Sequence, residues 1–220
     1  MESDSYNDMV FRLFKKTGVF KDDLMHAAVG VVGEVAELME ASTPKNRLEE
    51  LGDILFYIEA GFQQLQVDRF QAIELPEDQN LQPINIHLFC IVVHAGKLVD
   101  ATKKSWIYGR APDLDTIARS LAVVYWEVAC IAYHFGLELE DLEKANRAKL
   151  EERYPEKFYT DAHAIARLDK AAEEVQDVVV ISDEGRRRSE GSMTFAQALG
   201  SFEPLPPVSP EEDADINKEK

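Results

Sequence analysis

The chain predicts an all-α helical bundle. Three observations carry that prediction. Apolar residues recur at three- and four-residue spacing through most of the first 160 positions. The breaks between those stretches hold helix-stopping groups, among them Gly18, Pro44, Gly136 and Pro155. The single strand-like run, DVVVIS at 177–182, comes only after them.

Each element follows from its own pattern. YNDMVFRLFKKT, residues 6–17, suits a first helix that Gly18 ends. A second helix starts at Asp22 or Asp23, acidic N-cap candidates, and runs to about Ala41. Ser42, Thr43 and Pro44 break it. A third helix runs from near Lys45 through Gln66. ELPEDQNLQP, residues 74–83, is a polar linker. Helical patterning resumes from Ile84 to about Ser105 and gives way to the turn WIYGRAPD. Further helices cover roughly 113–135 and 138–153, stopped by Gly136 and Pro155.

These elements make one helical domain over residues 1–170. The acids discussed below lie in 24–61, a linker or insertion covers 62–93, and a second half covers 94–170. Residues 171–220 are acidic and proline-bearing and read as a mostly disordered tail. Within it, TFAQALGSF at 194–202 has the spacing of a short amphipathic patch, and an unfolded tail is the preferred reading. The two halves share a pattern. Gly96 falls opposite Gly33, Lys97 opposite Glu34, Asp100 opposite Glu37, Ser120 opposite Glu50 and Val123 opposite Asp53. The match predicts an internal duplication whose second unit has lost its acids.

Composition excludes several classes. A net charge of −17 repels a polyphosphate backbone, which argues against a nucleic-acid partner. No uninterrupted apolar run reaches about 18 residues, which argues against a membrane span, and no secretory leader pattern opens the chain. Cys90 and Cys130 sit in apolar helical patterns and read as reduced core residues, so the expected compartment is the cytoplasm.

Chemistry is expected at two carboxylate pairs. Glu34 and Glu37 lie in GEVAELMEA, and Glu50 and Asp53 lie in EELGDILFYIEA. Each pair is spaced i, i+3 beside an apolar arc, formed by Val31, Val35 and Leu38 on one helix and by Leu51, Ile54 and Ile58 on the next. If the two helices pack antiparallel, the pairs face one another, and the small residues Gly30, Gly33 and Ala41 leave room for an ion. An ordinary solvated face would carry cations at i±3 or i±4, yet only Glu50 has one, Arg47. Crowded acids without compensation call for an oxygen-seeking cation, Mg²⁺ or Mn²⁺. A di-iron bundle is disfavoured because none of the five histidines lies three after a glutamate. Zinc fits poorly because neither histidine nor cysteine clusters at ligand spacing. Further along, Asn146, Lys149 and Arg153 share one helix face and present an amide and two cations. Lys103, Lys104, Tyr108 and Arg110 form a second basic stretch.

HAAVGVVGEVAELMEA, LEELGDILFYI, KKSWIYGR and GLELEDLEKANRAKLEERYPEKF together resemble the all-α nucleoside triphosphate pyrophosphohydrolases, the MazG-like and dimeric dUTPase-like superfamily, in its phage-type branch. The resemblance covers roughly residues 24–170, interrupted near 62–93. It implies that Glu34, Glu37, Glu50 and Asp53 bind Mg²⁺ and that Asn146, Lys149 and Arg153 meet nucleotide phosphates, with Lys104 and Arg110 flanking them. It implies cleavage of a nucleoside triphosphate between the α and β phosphates, with Glu37 or Glu34 acting on the attacking water. The substrate would be a deoxynucleotide, purine ones such as dGTP or dATP foremost. A homodimer or homotetramer follows from the same likeness. Phe11, Phe14 and Trp106 are candidates to stack on the base. Two other classes compete: a nucleotide sensor without catalysis, and a helical interaction or assembly module.

Overall fold

A computed structural model describes residues 5–67, 82–167 and Asp169. Seven helices make up these residues, and no strand occurs among them. They are α1 (Tyr6–Leu13), α2 (Phe20–Glu40), α3 (Pro44–Leu65), α4 (Ile84–Tyr108), α5 (Leu114–His134), α6 (Leu139–Arg153) and α7 (Asp161–Ala166). DVVVIS, TFAQALGSF and the tail over 171–220 lie outside the described residues.

Local chemistry explains the helix ends, including those that differ from expectation. Ser5 and Asp8 form a reciprocal capping box that starts α1. That helix stops at Leu13, short of Thr17, because Phe14 turns extended and buries its ring against His26 at 4.5 Å. α2 begins at Phe20, ahead of both acidic cap candidates. Asp23 instead accepts hydrogen bonds from the Thr17 and Gly18 amides and from the Thr17 hydroxyl, so it folds the turn before the helix. Gly18 supplies that turn's positive φ of 79°. Thr43 caps α3, with Pro44 at its first position. α4 runs three residues past Ser105, so Trp106, Ile107 and Tyr108 are helical and Gly109 closes the helix in the left-handed region. The interval 62–93 is therefore no separate insertion at its ends, which complete α3 and begin α4. α7, capped by Thr160, had no clear signal in the sequence pattern.

The body is two helical hairpins laid together. α2 and α3 fold back on each other through 41–43, and α4 and α5 do so through 109–113. α2 packs on α4, and α3 packs on α5 and α6. One core runs through both hairpins, with Val31, Val35 and Leu38 of α2 meeting Leu51, Ile54 and Ile58 of α3, all at most 4% exposed. The expected arcs are thus the buried ones. Truncating one of these leucines to alanine would cost about 3 kcal/mol. A second, smaller core seats α1 through Tyr6, Met9, Val10 and Leu13 against Ala60, Leu150 and Tyr154.

The hairpins carry their core at matching positions. Ala28, Val35 and Leu38 of α2 correspond to Ile91, Leu98 and Ala101 of α4, and all six are buried. Leu51, Ile54 and Ile58 correspond to Leu121, Val124 and Val128 of α5, again all buried. Thr43 and Asp113 stand at equivalent N-caps, and each accepts from the backbone amide three residues on. α4 and α5 are also long and apolar enough to cross a membrane by length and composition. Much of that apolar surface packs into the bundle, and the pair carries a buried polar contact, His87 Nδ1 with Glu127 Oε2, at 2.6 Å.

Candidate metal centre

Three of the four expected acids converge. Glu34 from α2 and Glu50 and Asp53 from α3 each place a carboxylate oxygen within 4.8 Å of the others. Among the described residues this is the sole group of three or more metal-ligating side chains, and it contains no histidine or cysteine. An all-oxygen set suits a hard cation such as Mg²⁺ or Mn²⁺ and disfavours zinc. The three acids are half-buried. The fourth, Glu37, is exposed one turn further along α2 and stays outside the group. It remains close enough for its charge to act on both Glu34 and Glu50.

The electrostatics are those of an anion cluster short of cations. Burial, followed by the charges of Asp53, Glu37 and Glu50, pushes Glu34 up to about 8. Burial, then Asp53, Glu49 and Glu37, pushes Glu50 up to about 7. Burial also raises Asp53, against the opposing pull of Lys149. Tyr57 is lifted to about 12, by burial first and then by Glu34 and Asp53. A cation seated among the carboxylates would make their charged forms favourable.

α6 supplies the other wall. Gly52 makes the approach possible, since a Cβ there would lie 3.0 Å from the Asn146 Cβ and 3.3 Å from the Leu142 carbonyl. Asn146, 2% exposed, donates its amide to Asp53 Oδ1 at 2.6 Å. The Tyr6 hydroxyl donates to the Asn146 carbonyl oxygen at 2.8 Å. Lys149 bridges Asp53 and Glu49, the latter at 2.6 Å. Desolvation is the largest single influence on the lysine and lowers it, but Asp53 and Glu49 together outweigh it and hold it raised.

Arg153 faces the same way but forms a fork on Asp169, with Nε at 2.7 Å and a terminal nitrogen at 2.6 Å. The three residues expected to meet phosphate therefore do share a face. In this state that face is engaged by carboxylates: Asn146 positions Asp53, Lys149 neutralises it, and Arg153 is paired elsewhere.

Several expectations change. Gly30 does not leave room for an ion, because the Tyr57 ring fills that space and a Cβ would lie 2.3 Å from it. Gly33 does face open space. Lys104 and Arg110 line a different cleft, to which Glu34, Glu50 and Asp53 contribute nothing. The three candidate stacking residues do not converge. Phe11 lies exposed under the Lys16 ammonium, Phe14 is buried against His26, and Trp106 donates its indole nitrogen to Asp22 at 2.9 Å. Of the three, only Phe14 approaches the centre, through Tyr57 at 6.4 Å.

Glu49, Tyr6, Tyr57, Gly52 and Asp169 all belong to the site or its support and were not singled out as site residues. Glu49 alone had a signal, as the neighbour of Glu50 in LEELGD.

What the fold and site define is a class: an all-α bundle with a carboxylate centre walled by an asparagine and a lysine. No family model, no curated protein and no solved structure matches the chain.

Proposed function

We propose that the chain is a Mg²⁺-dependent nucleoside triphosphate pyrophosphohydrolase of the MazG-like kind. It would convert a (deoxy)nucleoside triphosphate and water to the monophosphate and pyrophosphate. The observation that carries this reading is the convergence of Glu34, Glu50 and Asp53, with Glu34 and Glu50 held so high that the cluster favours protons or a cation. A structural salt-bridge network would have balanced them. A non-catalytic nucleotide sensor would bind the same Mg²⁺–triphosphate without releasing pyrophosphate.

The ion, Mg²⁺ or Mn²⁺, would be held by Glu34, Glu50 and Asp53 and would supply charge neutralisation at the phosphate oxygens. The remaining work falls to the chain's own groups. Asn146 fixes the orientation of Asp53 through one of that carboxylate's oxygens. Lys149, already at the edge of the cluster, is placed to transfer from Glu49 to a phosphate oxygen. Arg153 would exchange Asp169 for the departing pyrophosphate, keeping its two-point geometry. Glu37 is exposed beside the cluster, so it is the acid free to take a proton from the water attacking the α phosphorus. Water adds to that phosphorus as the bond to the bridging oxygen breaks, and the electron pair leaves with pyrophosphate.

An exposed apolar stripe supports a homodimer or homotetramer: Val29 and Val32 of α2, and Ile86, Phe89 and Val92 of α4. The substrate class fits a cytoplasmic nucleotide pool. Purified chain incubated with each ribo- and deoxynucleoside triphosphate plus Mg²⁺ should release pyrophosphate with at least one of them, a purine deoxynucleotide being the first expectation. Silence across the whole panel would sink the enzymatic reading.

A further inference from the structure

The cleft that holds Lys104 and Arg110 has its own logic. It is an open cavity of about 670 Å³ between α4 and the start of α5, lined in part by Gly96, Lys97, Asp100, Lys104, Arg110 and Thr116. That volume lies within the range of small-ligand pockets, about 300–1,000 Å³. Its α4 wall corresponds to the α2 stretch that carries Glu34 and Glu37 in the first hairpin. Gly96 stands where Gly33 stands, Lys97 where Glu34 stands and Asp100 where Glu37 stands. Lys97 reverses the sign of Glu34, Asp100 keeps that of Glu37, and Ser120 and Val123 stand uncharged where Glu50 and Asp53 stand.

The acids on this wall are already spent. Asp100 is held between two ammonium groups, Lys104 at 2.6 Å and Lys103 at 3.1 Å. Asp113 turns its oxygens to its own helix, accepting from the Thr116 amide at 3.0 Å and the Thr116 hydroxyl at 2.8 Å. The cations are only partly spent. Among the described residues, neither the Lys97 ammonium nor the Arg110 guanidinium has an ion pair or a side-chain hydrogen bond. Gly109, at a φ of 65°, turns the chain so that the Arg110 amide returns to the Lys104 carbonyl at 3.4 Å, which brings the guanidinium's residue back to the cleft. On a chain of net charge −17, two unpaired cations lining one cavity with a third are a local reversal of field.

We propose that this cleft is a second binding site, for a phosphate-bearing anion, and that it needs no metal. The guanidinium offers a two-point match to phosphate oxygens, and Lys97 and Lys104 add point charges beside it. Gly96 leaves the floor open, with nothing within 4 Å of a Cβ built there. Two sources of the same chemistry fit: inorganic pyrophosphate or an intact nucleotide. The site stands independently of the catalytic reading of the acid centre.

The test is calorimetric titration of the full chain, in EDTA, with pyrophosphate and separately with a nucleoside triphosphate. Saturable binding of either probe is expected. It should weaken at least tenfold in the Lys97→Ala/Arg110→Ala double variant and persist in Asp53→Asn. Lys97 and Arg110 are exposed, and melting temperatures of both variants verify their folds. Tighter binding of pyrophosphate would identify a product site, and tighter binding of the triphosphate a nucleotide site. No binding in EDTA overturns the proposal. So does loss of binding in Asp53→Asn that matches the loss in the double variant. If the double variant abolishes Mg²⁺-dependent pyrophosphate release, the cleft serves the acid centre of a neighbouring copy, and an independent site is ruled out. Failure of the enzymatic reading leaves this outcome untouched, because binding is read without metal or turnover.

Discussion

The two hairpins place apolar residues at matching positions but put different chemistry beside them. In α2 and α3 the edge holds Glu34, Glu50 and Asp53, and in α4 and α5 the corresponding positions hold Lys97, Ser120 and Val123. The core positions barely notice, since Leu51 and Leu121, and Ile54 and Val124, are buried alike. A helical hairpin is thus specified by its apolar arc, while the residues flanking that arc are free to change chemistry. What covers the edge differs as well. α6 closes over the first hairpin and brings Asn146 and Lys149 to Asp53. The second hairpin spends its buried polar groups on itself, through His87 and Glu127.

The contrast breaks most sharply at the acids. Asp53→Asn or Glu50→Gln should lower pyrophosphate release by about 1,000-fold, the scale of losing a charge-stabilising group at a phosphoryl centre. Unchanged turnover would show that the first hairpin's acids are a surface feature and no more special than the second hairpin's lysines.

A large structural effect is expected where the second hairpin buries a polar pair. Glu127→Leu removes one member of the His87 pair and leaves the other enclosed, at 5% exposure. The expected cost is about 2 kcal/mol, the scale of a buried polar group left without its partner, measured by urea unfolding. A loss below about 0.5 kcal/mol would mean that water reaches the pair.

The third effect is of pH on the metal-free protein. Glu34 and Glu50 bind protons more tightly folded than unfolded, since burial and neighbouring acids raise them from an ordinary 4.5 to about 8 and about 7. Their contribution to stability is complete below pH 4.5 and is lost as pH rises through about 7 and about 8. The melting temperature in EDTA should therefore fall across that window, and Mg²⁺ should reverse the fall. Glu34→Gln should flatten the slope. A melting temperature that climbs from pH 5 to 8 without metal contradicts the site as described.

The smallest effect is at the support. Tyr6→Phe removes the hydrogen bond that holds Asn146 and should cost about 1 kcal/mol of stability. It should also lower turnover by about tenfold, as loss of an outer partner of a metal ligand does. Rescue by a different hydroxyl is not expected, because the reach from α1 to α6 needs the ring.

Much of this molecule was legible in its sequence. Helix existence, the stops at Pro44, Gly136 and Pro155, and the buried arcs all followed from spacing and from residues with restricted backbones. The reason is that a helix is settled by neighbours three and four residues away. The acid pairs were legible on the same ground, because their lack of nearby cations is a local fact. Even the missed ends have local causes once seen, such as Asp23 turning back to Thr17.

Tertiary structure alone decided which of those residues act together. It left Glu37 outside the trio, filled the space at Gly30 with Tyr57, and gave Lys104 and Arg110 a cleft of their own. It joined Asn146 and Lys149 to Asp53 across more than ninety positions, and Tyr6 to Asn146 across 140. Spacing along one helix fixes a side chain's direction to within a face. Its partner depends on which other face packs opposite, and that is set by how whole helices share one core.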